Sequence, residues 1–138
     1  MAQQDIVVVD GSNVAYAELS QRGEPRVSNL VAMTKALEGR GYRPIVIVDA
    51  TLRHKVDDPD QLEGLLDDQV IRQAPAGTDA DFFVLETAQE YNALVVSNDE
   101  FEQFREDYPW ITERRVPFMI VEGQAELYEP KLETRKQG

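Results

Sequence analysis

Four aspartates stand where an α/β chain gathers its chemistry: Asp10 at the exit of IVVVD, Asp79 and Asp81 in GTDAD, and Asp99 at the end of LVVSND. Carboxylates brought together without partners repel one another, so a pocket built from them calls for cations. A donor set made of oxygen alone suits hard divalent ions, Mg2+ or Mn2+. Such ions serve phosphoryl chemistry by gripping a phosphate, acidifying water and offsetting charge on the departing oxygen. These residues point first to a metal-dependent nuclease. Competing chemistries are short of parts. With no cysteine there are no disulfides, thiolate zinc sites or cysteine nucleophiles, and the lone His54 cannot form a histidine-rich metal site or a histidine pair for acid–base cleavage.

Each acid also has a plainer reading. Asp10-Gly11 after a strand is an ordinary turn, and it gains weight only through the GSN that it opens. Ser12 and Asn13 either satisfy turn backbone groups or orient Asp10 and contact a phosphate; the second reading carries more weight for Asn13 than for Ser12. Asp79 is a natural N-cap and Asp81 a first-turn partner of the helix dipole, roles compatible with ligation. Asp99 has the same ambiguity, and Asp49, ending IVIVD, reads as structural or peripheral. Arg53, His54 and Lys55 of TLRHK offer local phosphate contact or merely a solvated loop balancing DDPD. Arg114 and Arg115 are a second basic pair. Tyr108 and Trp110 read as core plugs rather than base-stacking platforms.

The elements that would position these groups follow from periodicity. Ile6 to Val9, PIVIVDA (44–50) and ALVVSND (93–99) are apolar, β-branched runs that end in polar residues, the pattern of buried parallel strands. Between the first two, 27–41 predicts a helix with Ser28 as cap, Leu30, Val31, Thr34 and Leu37 on one face, and Gly41 closing it in a left-handed turn. Asp58-Pro59 opens a helix buried through Leu62, Leu65 and Leu66, and QVIRQAP (69–75) turns strand-like. A helix over 79–92 is anchored by Phe83 and Leu85, and a short one begins at Asp99 with Phe101 and Phe104 inward. A last β segment spans 116–128, ahead of a loose polar tail. Alternating strands and helices predict an α/β fold, in which ligands sit beyond the carboxyl ends of the strands.

The 138 residues, 42% of them hydrophobic, suffice for one domain with its own core. MAQQD has neither a basic region nor an apolar core of a leader, and no apolar run approaches the roughly 20 residues that span a bilayer. The expectation is a soluble cytoplasmic protein with no membrane partner. The net charge of −12 argues against a nucleic-acid partner, although the site acids and DDPDQLEGLLDD (57–68) account for much of it. Any phosphate contact must be local.

DGSNVAY after the first strand, GTDAD opening a later helix and VVSNDEF after another strand, in that order, resemble the NYN/PIN-like ribonucleases. The resemblance is closest to the Regnase-type (Zc3h12a-like) NYN domain and covers roughly residues 4 to 130. It implies a PIN-like, Rossmann-like three-layer fold with a mainly parallel sheet, residues 1–130 as the nuclease domain and 131–138 as the tail. It also implies a Mg2+-dependent endoribonuclease acting on RNA, with a homodimer possible. Carried over, Asp10 and Asp99 join the metal-binding set and Asn13 neighbours them. The family's adjacent aspartates before the helix are here split by Ala80, which leaves Asp79 favoured as the third ligand and Asp81 second. The chain also departs after Asp99, where relatives often carry a further acid a few residues on and this sequence offers Glu100 and Glu102 instead. Ser12, Asn13 and Asn98, together with Arg53 and Lys55 from their place just after the second strand, are the candidate RNA contacts. The zinc finger of animal relatives is missing, so a stand-alone domain is expected. Two rivals remain: a catalytically weak or inactive RNA- or protein-binding module on the same fold, and a metal-dependent hydrolase of DNA or of a small phosphoester.

Overall fold

The computed structural model describes residues 5–128 and Leu132. Five strands form one parallel sheet: β1 (Asp5–Asp10), β2 (Tyr42–Val48), β3 (Ile71–Gln73), β4 (Leu94–Val96) and β5 (Arg115–Val116), in the spatial order β3-β2-β1-β4-β5. The helices are α1 (Gly11–Ala15), α2 (Val27–Gly39), α3 (Pro59–Asp67), α4 (Ala80–Tyr91) and α5 (Ile111–Arg114), followed by an antiparallel hairpin of β6 (Phe118–Val121) and β7 (Gln124–Leu127).

The two-residue period of a strand divides the core in two. Val7 and Val9 of β1, with Val46 and Val48 of β2, pack against Leu30, Met33 and Leu37 of α2, Leu62 of α3 and the inner side of the hairpin. Val8, Ile45 and Ile47 point the other way, onto Val84, Leu85 and Ala88 of α4 and Ile111 of α5. Near-continuous apolar strands with both faces covered are what a parallel sheet requires, and the three-layer α/β architecture is the expected one. Among the described residues no helix is long and apolar enough to cross a membrane.

Strand order positions the site. From β1 the chain steps outward to β2 and β3, then returns to the opposite side of β1 for β4 and β5. The crevice beyond the carboxyl ends of β1 and β4 is therefore the topological switch point, where open α/β sheets bind ligands. Asp10 ends β1, and Ser97, Asn98 and Asp99 follow β4 directly.

Several local expectations are corrected. Ser28 lies inside α2, whose first amide is capped from far along the chain: Val27 N donates to Asp57 Oδ1 at 3.0 Å, and Asp57 N donates to Pro25 O at 3.0 Å. No helix begins at Asp99. Phe101 takes a left-handed backbone (φ 51°) and only a single 3-10 turn, Glu102–Phe104, follows. The long terminal β segment divides, because Glu122 and Gly123 both adopt positive φ (50° and 77°), the twist that folds two strands back into a tight hairpin. Leu132, within the segment read as a loose tail, is buried, and its carbonyl accepts a hydrogen bond from Tyr42 Oη at 3.0 Å. The rest of 129–138 lies outside the described residues. Other expectations stand: Asp58 caps α3 through Gln61 N with Pro59 in its first turn, and Gly41 closes α2 at φ 87°.

Three substitutions check this account by urea unfolding. A Cβ at Gly11 would meet Ile47 O and Val48 Cγ1, each at 2.7 Å. Because one of those atoms is backbone, Gly11→Ala should destabilise by about 1–3 kcal/mol. Asp57→Ala should cost about 0.5–2 kcal/mol through the lost cap, whereas Ser28→Ala should shift the midpoint little.

Candidate metal centre and active site

Asp10 is held from two sides. Its Oδ2 accepts the Ser97 hydroxyl at 2.8 Å, and its Oδ1 accepts Asn13 N at 3.4 Å, across the first turn of α1. Only 5% of the residue is exposed. Burial raises its pKa from 3.8 to about 6, against the lowering effect of those two hydrogen bonds, and the nearby charge of Asp99 adds to the rise.

Ser97, fully buried, passes the constraint on: its Oγ accepts Asp99 N at 3.0 Å. Asp99 repeats the motif, its Oδ1 accepting Phe101 N at 2.7 Å. Asp81, half-buried in the first turn of α4, completes the group. Its pKa is raised to about 7, by burial first and then by the negative charges of Asp10, Asp99, Asp79 and Asp49. One carboxylate oxygen from each of Asp10, Asp81 and Asp99 lies within 4.8 Å of the others.

The ranking of Asp79 above Asp81 is thus reversed in space. Asp79 is the exposed N-cap of α4, its Oδ1 spent on Asp81 N at 3.0 Å. Asp81 stands three, four and seven residues before Val84, Leu85 and Ala88, the buried face of α4, so helical periodicity turns it toward the sheet ends. Asp79 shapes the site as a cap and as a source of negative field. Glu100 and Glu102 line the adjoining cleft of about 700 Å3 together with Asp81, Asp99, Phe101 and Gln103. They lie outside the three-oxygen group, and Glu100 faces Arg105 at 3.7 Å.

Several residues expected to contact RNA have internal partners. Ser12 Oγ accepts Asp49 N at 2.9 Å, tying α1 to the end of β2. The Asn98 amide pairs on both sides with the Phe118 backbone, donating to its O and accepting from its N at 2.9 Å each, in imitation of a strand neighbour. Asn13 Oδ1 accepts Asn98 N at 3.0 Å, so it locks the two site loops together. Arg53 donates to Gln73 Oε1 at 2.8 Å and faces Glu63 at 3.3 Å, beyond the outer strand pair β2 and β3. Lys55 remains exposed beside Asp49. The pKa of Asp49 is lowered chiefly by hydrogen bonds from Thr51, with a smaller effect from Lys55, and Asp49 lies outside the three-oxygen group.

Tyr108 and Trp110 pack edge to face at 5.9 Å, Arg114 lies 4.5 Å over the Trp110 ring, and Arg115 donates to Ser97 O at 3.2 Å. The packing reading of the aromatics holds. Ser97 is the participant that the sequence reading missed: its signal was a hydroxyl between an apolar strand and two polar residues, which is also the pattern of any strand exit.

The donor set fits a divalent cation. It is all oxygen, it gathers three acids at one point, and two of those acids have raised pKa values, by burial first and then by the negative charge of their neighbours.

Comparison with known proteins agrees with this geometry. The family model of the Zc3h12a-like Ribonuclease NYN domain matches residues 3–137. No curated protein sequence matches the chain. Two solved structures of the nuclear proteinaceous RNase P 2 (PRORP2) from A. thaliana share its fold: one at 22% identity with a TM-score of 0.68, the other at 23% with 0.67. Each alignment covers 88% of this chain and 29% of PRORP2, so the chain spans under a third of that protein. The expected resemblance and the PIN-like fold are both borne out. A match over nearly its whole length places the chain in the Zc3h12a-like ribonuclease NYN domain family.

Proposed function

We propose that this domain is a divalent-metal-dependent endoribonuclease in which Asp10, Asp81 and Asp99 hold Mg2+ or Mn2+. The observation that carries the reading is the convergence of those three carboxylates at the switch point of a chain from a ribonuclease family. Asp10 is the fixed ligand, oriented by Ser97 and Asn13, and Asp99 is oriented through Ser97 and the amide of residue 101. Asp81 comes from the opposite wall, on α4. When bound, the ion supplies Lewis-acid stabilisation of phosphoryl charge and acidifies water for attack on the phosphodiester. Asn13 positions the two site loops. Arg53 has its own acidic partner, and the net charge of −12 supplies no general attraction for a polyanion, so the cation itself must recruit phosphate.

The test is cleavage of labelled single-stranded and stem-loop RNA, with DNA and a small phosphoester alongside, in Mg2+, Mn2+ or EDTA. RNA cleavage should require the metal. It should fall at least about 100-fold in Asp10→Asn and Asp81→Asn, the scale of loss when transition-state electrostatics are removed, and much less in Asp79→Asn. Cleavage undiminished in EDTA would refute the metal reading. Mn2+ binding without cleavage of any substrate would mark a binding module, and cleavage of DNA or phosphoester alone a different hydrolase.

A pH dependence follows from the raised acids. The folded-state pKa values of about 6 for Asp10 and about 7 for Asp81 exceed the ordinary 3.8. Their contribution to stability is therefore complete below pH 3.8 and is lost as pH rises through 6 to 7. Metal-free Asp10→Asn should be more stable than the metal-free parent at pH 7.5, by on the order of 1–3 kcal/mol, with no such advantage at pH 4. Cation binding should release protons near neutrality, read by calorimetry in buffers of different ionisation heat.

A further inference from the structure

We infer that Phe101 is a positioning residue for Asp99: its ring, locked in the core, holds an unfavourable backbone turn that aims the residue-101 amide at the Asp99 carboxylate and so orients that carboxylate toward Asp10 and Asp81. The inference rests on reading Asp99 as a metal ligand, and adds to that reading a residue outside the acidic set.

Three observations carry it. First, Phe101 has φ 51°, a region that bulky residues adopt only when their surroundings impose it. Glycine, the residue that tolerates this region, would be the unremarkable choice. Second, the imposing surroundings are identifiable. Phe101 is 2% exposed and belongs to the core shared by Tyr108, Ile111, Val84 and Val95, two residues after an exposed aspartate. Third, the hydrogen bond that the turn creates, Phe101 N to Asp99 Oδ1 at 2.7 Å, falls on a carboxylate of the three-oxygen group, and Phe101 lines the same cleft as Asp81 and Asp99.

The geometry forms a chain of steps of two residues. Ser97 Oγ takes the Asp99 amide, Asp99 Oδ1 takes the Phe101 amide, and the left-handed turn then sends the chain into the 3-10 turn over 102–104. Without an anchor at 101 the segment can relax to ordinary φ, the amide swings away, and the exposed Asp99 carboxylate samples other rotamers. The ring thus converts core packing into the orientation of an exposed acid. Supporting residues of this kind change metal affinity without touching the metal.

The experiment compares the parent, Phe101→Ala, Phe101→Leu and Ile111→Ala, each shown folded by circular dichroism at low temperature. Ile111 is an equally buried member of the same core with no bond to a site acid, so it controls for lost stability. Mn2+ affinity by calorimetry should fall about tenfold or more in Phe101→Ala, recover toward the parent in Phe101→Leu, and stay parental in Ile111→Ala. A second readout needs no metal. By NMR, the residue-101 amide of the metal-free protein should be shifted downfield and protected from exchange in the parent and Phe101→Leu, but not in Phe101→Ala.

Parental Mn2+ affinity in folded Phe101→Ala would overturn the inference, as would an equal loss in Ile111→Ala. If the parent itself binds no Mn2+, the metal reading fails separately, and the amide readout alone decides whether Phe101 orients Asp99. An unprotected residue-101 amide in the parent would refute it outright. If Phe101→Ala does not fold, Phe101→Val takes its place: a shorter branched anchor that should weaken both readouts.

Discussion

Everything at this site depends on keeping a buried carboxylate in place without a positive charge from the protein. Asp10 sits at the end of the central strand, where desolvation favours its neutral form, and it is held there by the Ser97 hydroxyl and the Asn13 amide. Placing Asp81 and Asp99 close by makes the electrostatics worse. Among the described residues the cations near the site are directed elsewhere: Arg115 to a carbonyl, Arg105 toward Glu100, Lys55 toward Asp49. A cluster so arranged is unfavourable by itself, and the divalent ion proposed here would relieve that repulsion. This imbalance is the physical link between the fold and its proposed chemistry.

The scaffold accepts this cost because its hydrogen bonds run between elements. Asn13 in α1 holds the backbone after β4, the Asn98 side chain stands in for a missing strand neighbour against Phe118, and Ser12 fastens α1 to the end of β2. The polar residues of DGSN and SND are thus largely consumed in making two loops rigid. An acid on a mobile loop would drift from its like-charged neighbours. These loops cannot drift far, since each is bonded to the other and to the sheet.

The legibility of this arrangement in the sequence followed the range of the forces involved. The strands at 6–9, 44–48 and 94–96 were readable because burial on both faces leaves an unbroken apolar run. The Asp58-Pro59 helix start was readable because its cap is local. The α2 cap was not, since Asp57 lies thirty residues beyond the amide that it accepts, and no local pattern records such a partner. The turn at Phe101 was misread as the start of a helix because a bulky residue at positive φ contradicts its own propensity and is stable only inside the assembled core. That Ser12 and the Asn98 side chain bond to distant backbone groups was likewise not readable, since Asp49 and Phe118 lie 37 and 20 residues away.

Sequence alone determined the acidic, cysteine-free chemistry and the alternation of strands and helices, because residue type and short-range period specify these, while DGSN and VVSND carried the resemblance to the family. The convergence of Asp81, rather than Asp79, on Asp10 and Asp99, the bridging by Ser97 and the turn at Phe101 were decided only by tertiary structure. Each depends on which way a side chain faces once α4, β1 and β4 meet, and on hydrogen bonds between residues up to 87 positions apart.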